Sequence, residues 1–368
     1  MTRAKAGLIV AGGGTGGHVL AGVAIADAWT AQKSGALCSQ VLFVGAEGGI
    51  EERLVPRAGY PLERLRIGSL NRVKFSRKLR TLSQLPISFI VSAGILLRER
   101  PRAVIGVGGY ASGPVVLLAR LLGWIWGGAR VAILEQNAVP GLTNRILGRF
   151  AHQILLAFPT GDGVFPKAKT RVTGNPVRAQ LQPNAEAGVE PFRIFIFGGS
   201  QGALGINSLV LEALPHLLGV KDHLRFLHQT GEKELERVRA GYQKLGTAAQ
   251  VVPFIDDMAA CYRDATLVIC RAGSSTLSEL AMVRRAAILI PFPFAADNHQ
   301  EKNARIFVDR GAAQMLVQGK STGRDLADLI HEYLRFPEKI KKMELAIADL
   351  ARPNAAAEIV KELIHATR

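Results

Sequence analysis

The sequence predicts an α/β protein made of two Rossmann-like domains, each with a parallel sheet. Three observations predict it. Short apolar runs of strand length alternate with helix-periodic stretches along most of the chain, the pattern of a parallel sheet covered on both faces. Two Gly-rich strand-to-helix turns, Gly12–Gly17 and Gly198–Gly202, each open such a series, as the first turn of a doubly wound domain does. The length of 368 residues is enough chain for two domains of roughly 150 residues.

In chain order, Gly7–Ala11 is the first strand, GGGTGGH the turn, and Val19–Trp29 has helical apolar spacing. Further strands are expected at Val41–Val44, Ala103–Val107 and Arg130–Leu134. The second series begins with Phe192–Phe197, passes through GGSQGA and continues as a helix over Asn207–Leu218. Its later strands are Arg225–His228, Gln250–Val252, Leu267–Cys270 and Ala287–Ile290. Pro166–Pro191, rich in Pro, Gly, Asn and Ala, reads as the linker. The tail 337–368 reads as helix interrupted at Pro353. The expected domains are 1–170 and 171–345, facing one cleft, with 346–368 a C-terminal helix packing back on the first.

Lys and Arg number 46 against 30 Asp and Glu, a net charge of +16. That excess favours an anionic partner: a phosphorylated substrate, nucleic acid or anionic lipid headgroups. Aromatic residues are 6% and no nucleic-acid module appears, so nucleic acid is not expected. With 48% hydrophobic and 21% charged residues, disorder is excluded as the main state. Cys38, Cys261 and Cys270 form no CxxC pair and have no His cluster nearby. Neither a disulfide framework nor a zinc site is expected, and a reducing compartment fits. No signal-peptide pattern is visible. The apolar runs Thr81–Leu97 and Ala103–Ala119 are broken by Ser, Pro or Gly and fall short of the ~20 apolar residues of a spanning helix. Arg64, Arg66, Arg72, Lys74, Arg77, Lys78 and Arg80 interleave with Phe75, Leu79, Leu82 and Leu85, and LLGWIW carries Trp124 and Trp126. Basic residues beside apolar ones suit a membrane surface, or an amphipathic helix packed on the core.

Gly12-x-Gly14-x-x-Gly17 matches the dinucleotide fingerprint, which leaves a nicotinamide cofactor open, with Glu47 as a ribose-binding acid. More broadly, such glycines let the backbone approach a ligand, and amides at a helix N-terminus bind phosphate. His18 follows at the mouth of the turn; an imidazole of pKa near 6.5 suits general-base work, or it caps the helix. Gly198–Gly202 is a second phosphate cradle or a tight packing turn. RAGSSTLSE puts free amides and hydroxyls at a helix start, with Glu279 one turn in. That carboxylate can accept two ribose hydroxyls, or simply favour the macrodipole. Arg178 follows the rigid Asn175-Pro176 and suits a diphosphate, or lies on the surface. Asp256 and Asp257 are adjacent, so their side chains diverge, and no other acidic or His cluster supports a metal. No metal and no cofactor are expected.

Together, GGGTGGH (12–18), GVGGYASGP (106–114), EQNAVPGLTN (135–144), GNPVR (174–178), GGSQGA (198–203), FIDDM (254–258), RAGSSTLSE (271–279) and PFPFAADNHQEKNA (291–304) resemble, in order, a known family. It is the UDP-N-acetylglucosamine:lipid I N-acetylglucosaminyltransferases of bacterial peptidoglycan synthesis, in glycosyltransferase family 28. The resemblance implies a GT-B fold and an inverting enzyme, peripheral on the cytoplasmic face of the inner membrane. It implies transfer of GlcNAc from UDP-GlcNAc to the 4-hydroxyl of MurNAc in lipid I, giving lipid II and UDP. The implied partners are UDP-GlcNAc, lipid I, an anionic membrane surface and other cell-wall synthesis proteins. The implied donor contacts are Thr15, Gly16 and Gly17, Asn137 on the sugar, and Arg178 and Ser200 on the diphosphate. Ile255 would read uracil through its backbone. Ser274, Ser275, Thr276, Leu277, Ser278 and Glu279 would line the nucleotide, Glu279 on the ribose, and Gln300 would touch GlcNAc. His18 is the implied base. The sequence departs from the family's usual Pro after the first His (Ala21-Gly22), its His before EQN (Leu134), and its Gly-Leu-Pro before the AILIP strand (Arg284-Arg285-Ala286). These departures bear on loop geometry and acceptor preference. Close alternatives are a glycolipid glycosyltransferase or a UDP-GlcNAc 2-epimerase; further off are a nicotinamide oxidoreductase and a non-catalytic nucleotide-sugar sensor.

Overall fold

The structure, a computed structural model, describes residues 5–32, 40–68, 75–159, 163–183 and 191–364, with the side chains of 75–83 left out. Two compact units result: 1–178 with 352–368, and 179–351. The chain thus divides at Arg178/Ala179 and Ala351/Arg352, against the expected divisions after residues 170 and 345.

In the first unit the elements are β1 (Leu8–Gly12), α1 (Gly16–Thr30), β2 (Val41–Ala46), α2 (Glu51–Arg57), β3 (Leu62–Leu65), α3 (Phe75–Glu99), β4 (Ala103–Gly108), α4 (Ser112–Leu122), β5 (Arg130–Glu135), α5 (Leu142–Leu147), β6 (Gln153–Leu156) and β7 (Thr170–Val172). The sheet has seven strands in the order β3-β2-β1-β4-β5-β6-β7, and the pairs are parallel. Alternation along β1 shows why its run is apolar throughout. Leu8 and Val10 join the core around Trp29 on one face, while Ile9 and Ala11 join Val116 and Ile133 on the other. A strand buried on both faces cannot alternate apolar with polar.

The second unit runs β8 (Phe192–Phe197), α6 (Leu204–Ala213), β9 (Leu224–Gln229), α7 (Leu235–Lys244), β10 (Ala249–Val252), α8 (Met258–Asp264), β11 (Leu267–Cys270), α9 (Ser274–Val283), β12 (Ala287–Leu289), α10 (His299–Val308), β13 (Gln314–Met315), α11 (Gly323–Arg335) and α12 (Glu338–Ala348). Its six strands lie in the order β10-β9-β8-β11-β12-β13. Phe192, Ile194 and Ile196 fill one face; Phe195 and Phe197 stack on the other and meet the Tyr262 ring edge-on. The helix expected over Asn207–Leu218 ends at Ala213, and a 3-10 segment, Leu214–His223, takes over at Pro215.

The last helix, α13 (Ala355–Ile364), returns to the first unit. Ile359, Val360 and Leu363 complete the cluster around Leu8, Val10 and Trp29. In each sheet the strand order reverses beside the first strand, β1 or β8. Ligands of open α/β sheets bind at the carboxyl ends of the strands at such a point. Among the described residues, no helix is long and apolar enough to cross a membrane.

Candidate active site

At the end of β1 the chain turns through Gly13, whose φ is +153°. A Cβ there would lie 2.2 Å from Glu51 Oε1, so the position admits no side chain. Gly13 N donates to Gly108 O at the end of β4, 3.1 Å away. Thr15 is the N-cap of α1, its hydroxyl accepting from His18 N, and Gly16 and Gly17 form the first turn. The His18 ring lies half-buried with Nδ1 3.0 Å from Gly13 O. A carbonyl oxygen accepts but cannot donate, so Nδ1 carries the hydrogen and the neutral ring keeps its basic lone pair on Nε2. The Nε2 edge faces β4: a Cβ on Gly108 would come within 2.8 Å of it.

Glu51 was not legible as a site residue. It is 1% exposed and accepts from Gly14 N at 2.9 Å and Ala46 N at 2.8 Å. Glu47, the candidate ribose acid, sits on the surface and pairs with Arg66 at 3.2 Å. Asn137 is half-buried, and its backbone and side-chain nitrogens face Glu135 Oε1 at 2.9 and 3.4 Å. Glu135 is buried and also accepts from Gly141 N and Asn144 Nδ2, which fixes the loop between β5 and α5. Arg178 is half-buried at the end of the first unit's main segment.

The second unit holds a cavity of about 620 Å³, lined by Gly198, Gly199 and Gly202 of the turn and by Arg271, Thr276, Phe292, Gln300 and Gln318 among others. The turn is pinned from behind. Asn207 Nδ2 donates to Thr230 O, Asn207 Oδ1 faces His228 Nε2, and His228 Nδ1 faces the Tyr242 hydroxyl, each at 3.1 Å. Gly202 has φ +72° and abuts Thr230 O so closely that a Cβ would come within 1.8 Å. Arg271 donates to the carbonyls of Ile290 and Pro291 and stacks over Phe292. Burial lowers its guanidinium to about 10, so it remains a cation at neutral pH, desolvated and suited to an anionic ligand. Gln300 Oε1 accepts from Phe292 N at 2.9 Å, which fixes its side chain at the cavity wall.

The other expected donor contacts divide. Ser200 is exposed on its turn and Ile255 is half-buried after β10. Ser274 is buried, Ser275 half-buried, and Ser278 Oγ donates to Ser274 O within α9. Glu279 is 7% exposed, with Oε2 accepting from Tyr262 OH at 3.0 Å. Leu277 has a wholly buried side chain, and its amide donates to Gly273 O. Asp257 caps α8, accepting from Ala260 N. Among the described residues, no group of three or more His, Cys, Asp or Glu is placed to hold a metal ion.

The departures from the family pattern have structural roles. Gly22 lets α1 approach the sheet; a Cβ there would meet Val10 and Phe43 at 3.0 and 3.1 Å. Leu134 is core. Arg285, 2% exposed, donates to the carbonyls of Tyr262 and Arg263 and to Glu344 Oε1. Of the basic run, Arg64 lies on β3 near Glu52, and Arg66 pairs with Glu47. Arg72 and Lys74 lie outside the described residues, as do Cys38 and the side chains of Arg77, Lys78 and Arg80. On α3, Ile87, Ile90 and Val91 are exposed, and so are Leu121, Ile125 and, at 78%, Trp124. Trp126 is different: it is half-buried and donates to Pro101 O.

The glycosyltransferase family 28 N-terminal domain matches residues 8–156 and the family's C-terminal domain residues 193–362. A UDP-N-acetylglucosamine--N-acetylmuramyl-(pentapeptide) pyrophosphoryl-undecaprenol N-acetylglucosamine transferase of Myxococcus xanthus is 46% identical, over 96% of this chain and 91% of that protein. The enzyme of that name from Citrifermentans bemidjiense is 45% identical, over 97% and 99%. The crystal structure of Acinetobacter baumannii MurG superposes with a TM-score of 0.77 at 32% identity, covering 97% of this chain and 98% of that one. A putative UDP-N-acetylglucosamine 2-epimerase of Listeria monocytogenes, at 12% identity and a TM-score of 0.67, shares the fold alone. The two parallel-sheet units are thus of the GT-B type. Matched in both halves and along nearly its whole length, the chain belongs to glycosyltransferase family 28.

Proposed function

We propose that this chain transfers GlcNAc from UDP-GlcNAc to the 4-hydroxyl of MurNAc in undecaprenyl-diphospho-MurNAc-pentapeptide, releasing UDP and lipid II. The observation that carries the reading is identity of 46% with an enzyme so named, joined to a Gly-lined, cationic cavity in the second unit. That cavity has the chemistry for a nucleoside diphosphate: the amides at the α6 N-terminus and Arg271 for charge, and Thr276 and Gln300 for hydroxyls. Ser200 and Arg178 add diphosphate contacts, Ile255 and Ser274–Ser278 nucleotide contacts, and Glu279 binds the ribose. Thr15, Gly16, Gly17 and Asn137 complete the donor set.

In the reaction, His18 Nε2 takes the proton of the acceptor hydroxyl as that oxygen attacks the anomeric carbon. The bond from that carbon to UDP breaks on the opposite face, which inverts the centre. Helix N-termini and guanidinium groups stabilise the departing diphosphate. The acceptor's chain stays in the bilayer, so the first unit docks peripherally on the cytoplasmic face of the inner membrane. Ile87, Ile90, Trp124 and Ile125 supply apolar contact, and the basic run, with Arg72, Lys74, Arg77 and Lys78, supplies attraction to anionic lipid.

The test is UDP release with and without lipid I, with lipid II identified as product. UDP release that ignores lipid I would overturn the reading. For docking, Ile90→Ser with Trp124→Ala should reduce binding to anionic vesicles and spare activity on a short-chain, water-soluble acceptor. Unchanged vesicle binding would overturn it.

A further inference from the structure

The peptide between Gly13 and Gly14 is hydrogen-bonded on both edges. Its carbonyl oxygen accepts from His18 Nδ1 at 3.0 Å. Its N–H donates to Glu51 Oε2 at 2.9 Å. A carboxylate, one peptide unit and an imidazole therefore form a continuous hydrogen-bonded chain. Glu51 is held in place independently: its Oε1 accepts from Ala46 N at 2.8 Å. Side chains at Gly13, Gly45 or Gly49 would come within 2.6 Å of it or closer, so all three glycines leave room for this one residue.

We propose that Glu51 is the positioning residue of His18 and acts through the Gly13–Gly14 peptide. The proposal rests on the reading of His18 as the base. A carboxylate accepting from the peptide N–H draws that hydrogen and makes the carbonyl oxygen a stronger acceptor, because hydrogen bonds in series polarise one another. The stronger acceptor holds Nδ1–H, keeps Nε2 as the basic nitrogen, and stabilises the imidazolium that forms. The acceptor's proton moves to Nε2 as the new glycosidic bond forms and the bond to UDP breaks. Nδ1 keeps its hydrogen, and the proton on Nε2 then passes to water. The work of an orienting acid beside a histidine is thus done at one peptide's remove.

Other charges near α1 are differently engaged. Asp27 accepts from Tyr60, and Glu52 lies 3.6 Å from Arg64. Arg53, Arg57, Glu358 and Lys361 are exposed on α2 and α13, and Glu362 acts on Arg130.

The experiment uses the full chain with ¹⁵N-labelled histidine, the His18 signal assigned by its loss in His18→Gln. In the wild-type protein the neutral ring should carry its hydrogen on Nδ1; an Nε2–H tautomer overturns the proposal, and this measurement needs no variant to fold. In Glu51→Gln, which keeps shape but not charge, the His18 midpoint should fall by about half a pH unit or more, roughly threefold in proton affinity. The acid limb of kcat should move with it, kcat should drop about tenfold, and donor KM should stay within about threefold. Glu51→Asp, which restores the charge, should recover part of the midpoint. An unchanged midpoint in Glu51→Gln overturns the proposal. A shifted midpoint with unchanged kcat supports the link to Glu51 and overturns His18 as the base.

Discussion

In the proposed reaction Glu279 and His18 bear on different steps, and single substitutions separate them. Removing the carboxylate in Glu279→Ala should raise donor KM roughly 10- to 150-fold, the cost of about 1.5–3 kcal/mol for hydrogen bonds to a charged group, with a smaller change in kcat. Steady-state kinetics with varied UDP-GlcNAc checks this; an unchanged KM removes Glu279 from the ribose. His18→Ala should lower kcat by about 10²–10⁴-fold while UDP affinity stays within a few-fold. A loss under about tenfold would make His18 structural. Their placement was legible in the sequence, because each follows a strand in the first turns of a helix. Glu51 was not: its meaning comes from Gly13, Gly14 and Ala46, brought together by the pairing of β1 with β2.

Helix α9 ends in an unusual way. Arg284 sits at its C-cap in the left-handed region, φ +54°, where glycine carries no Cβ penalty. Arg284→Gly should therefore stabilise the second unit by about 1 kcal/mol, read as a raised urea midpoint; an unchanged midpoint would mean that the side chain contributes a compensating contact. Its neighbour should behave oppositely. Arg285 ties α8, the β12 entry and α12 through two carbonyls and Glu344. Arg285→Met leaves that carboxylate without its buried partner and should cost about 3–5 kcal/mol, measured the same way. Strand positions show where periodicity serves and where it fails. Phe192–Phe197 and Leu267–Cys270 fall where expected because both are central and, apart from the exposed Arg193, apolar. Strands β3 (LERL) and β7 (TRV) lie at the sheet's edges, partly exposed and carrying charge, so no apolar run announced them. β13 has two residues, too few for any period.

For the molecule as a whole, two compact units make a single unfolding transition the wrong description. The second unit should also be acid-sensitive. Burial, with Arg237 adding to it, holds His228 neutral with its pKa lowered to about 3, below the unfolded value of about 6.5. The stability belonging to the neutral ring is therefore intact above pH 6.5 and is lost as pH falls from there towards 3. Between pH 7 and 5 the loss should be about 2 kcal/mol, seen in urea titrations that follow the second unit. His228→Gln should flatten that dependence; equal slopes would show that other groups dominate. Helix α13 has another consequence, in the order of synthesis. The cluster around Leu8, Val10 and Trp29 contains Ile359, Val360 and Leu363. The first unit to leave the ribosome therefore cannot close its core until a helix translated after the whole second unit arrives. A nascent chain carries an open apolar seam on its oldest part while the younger unit is already free to fold, so chaperones should engage the beginning of the chain for longest.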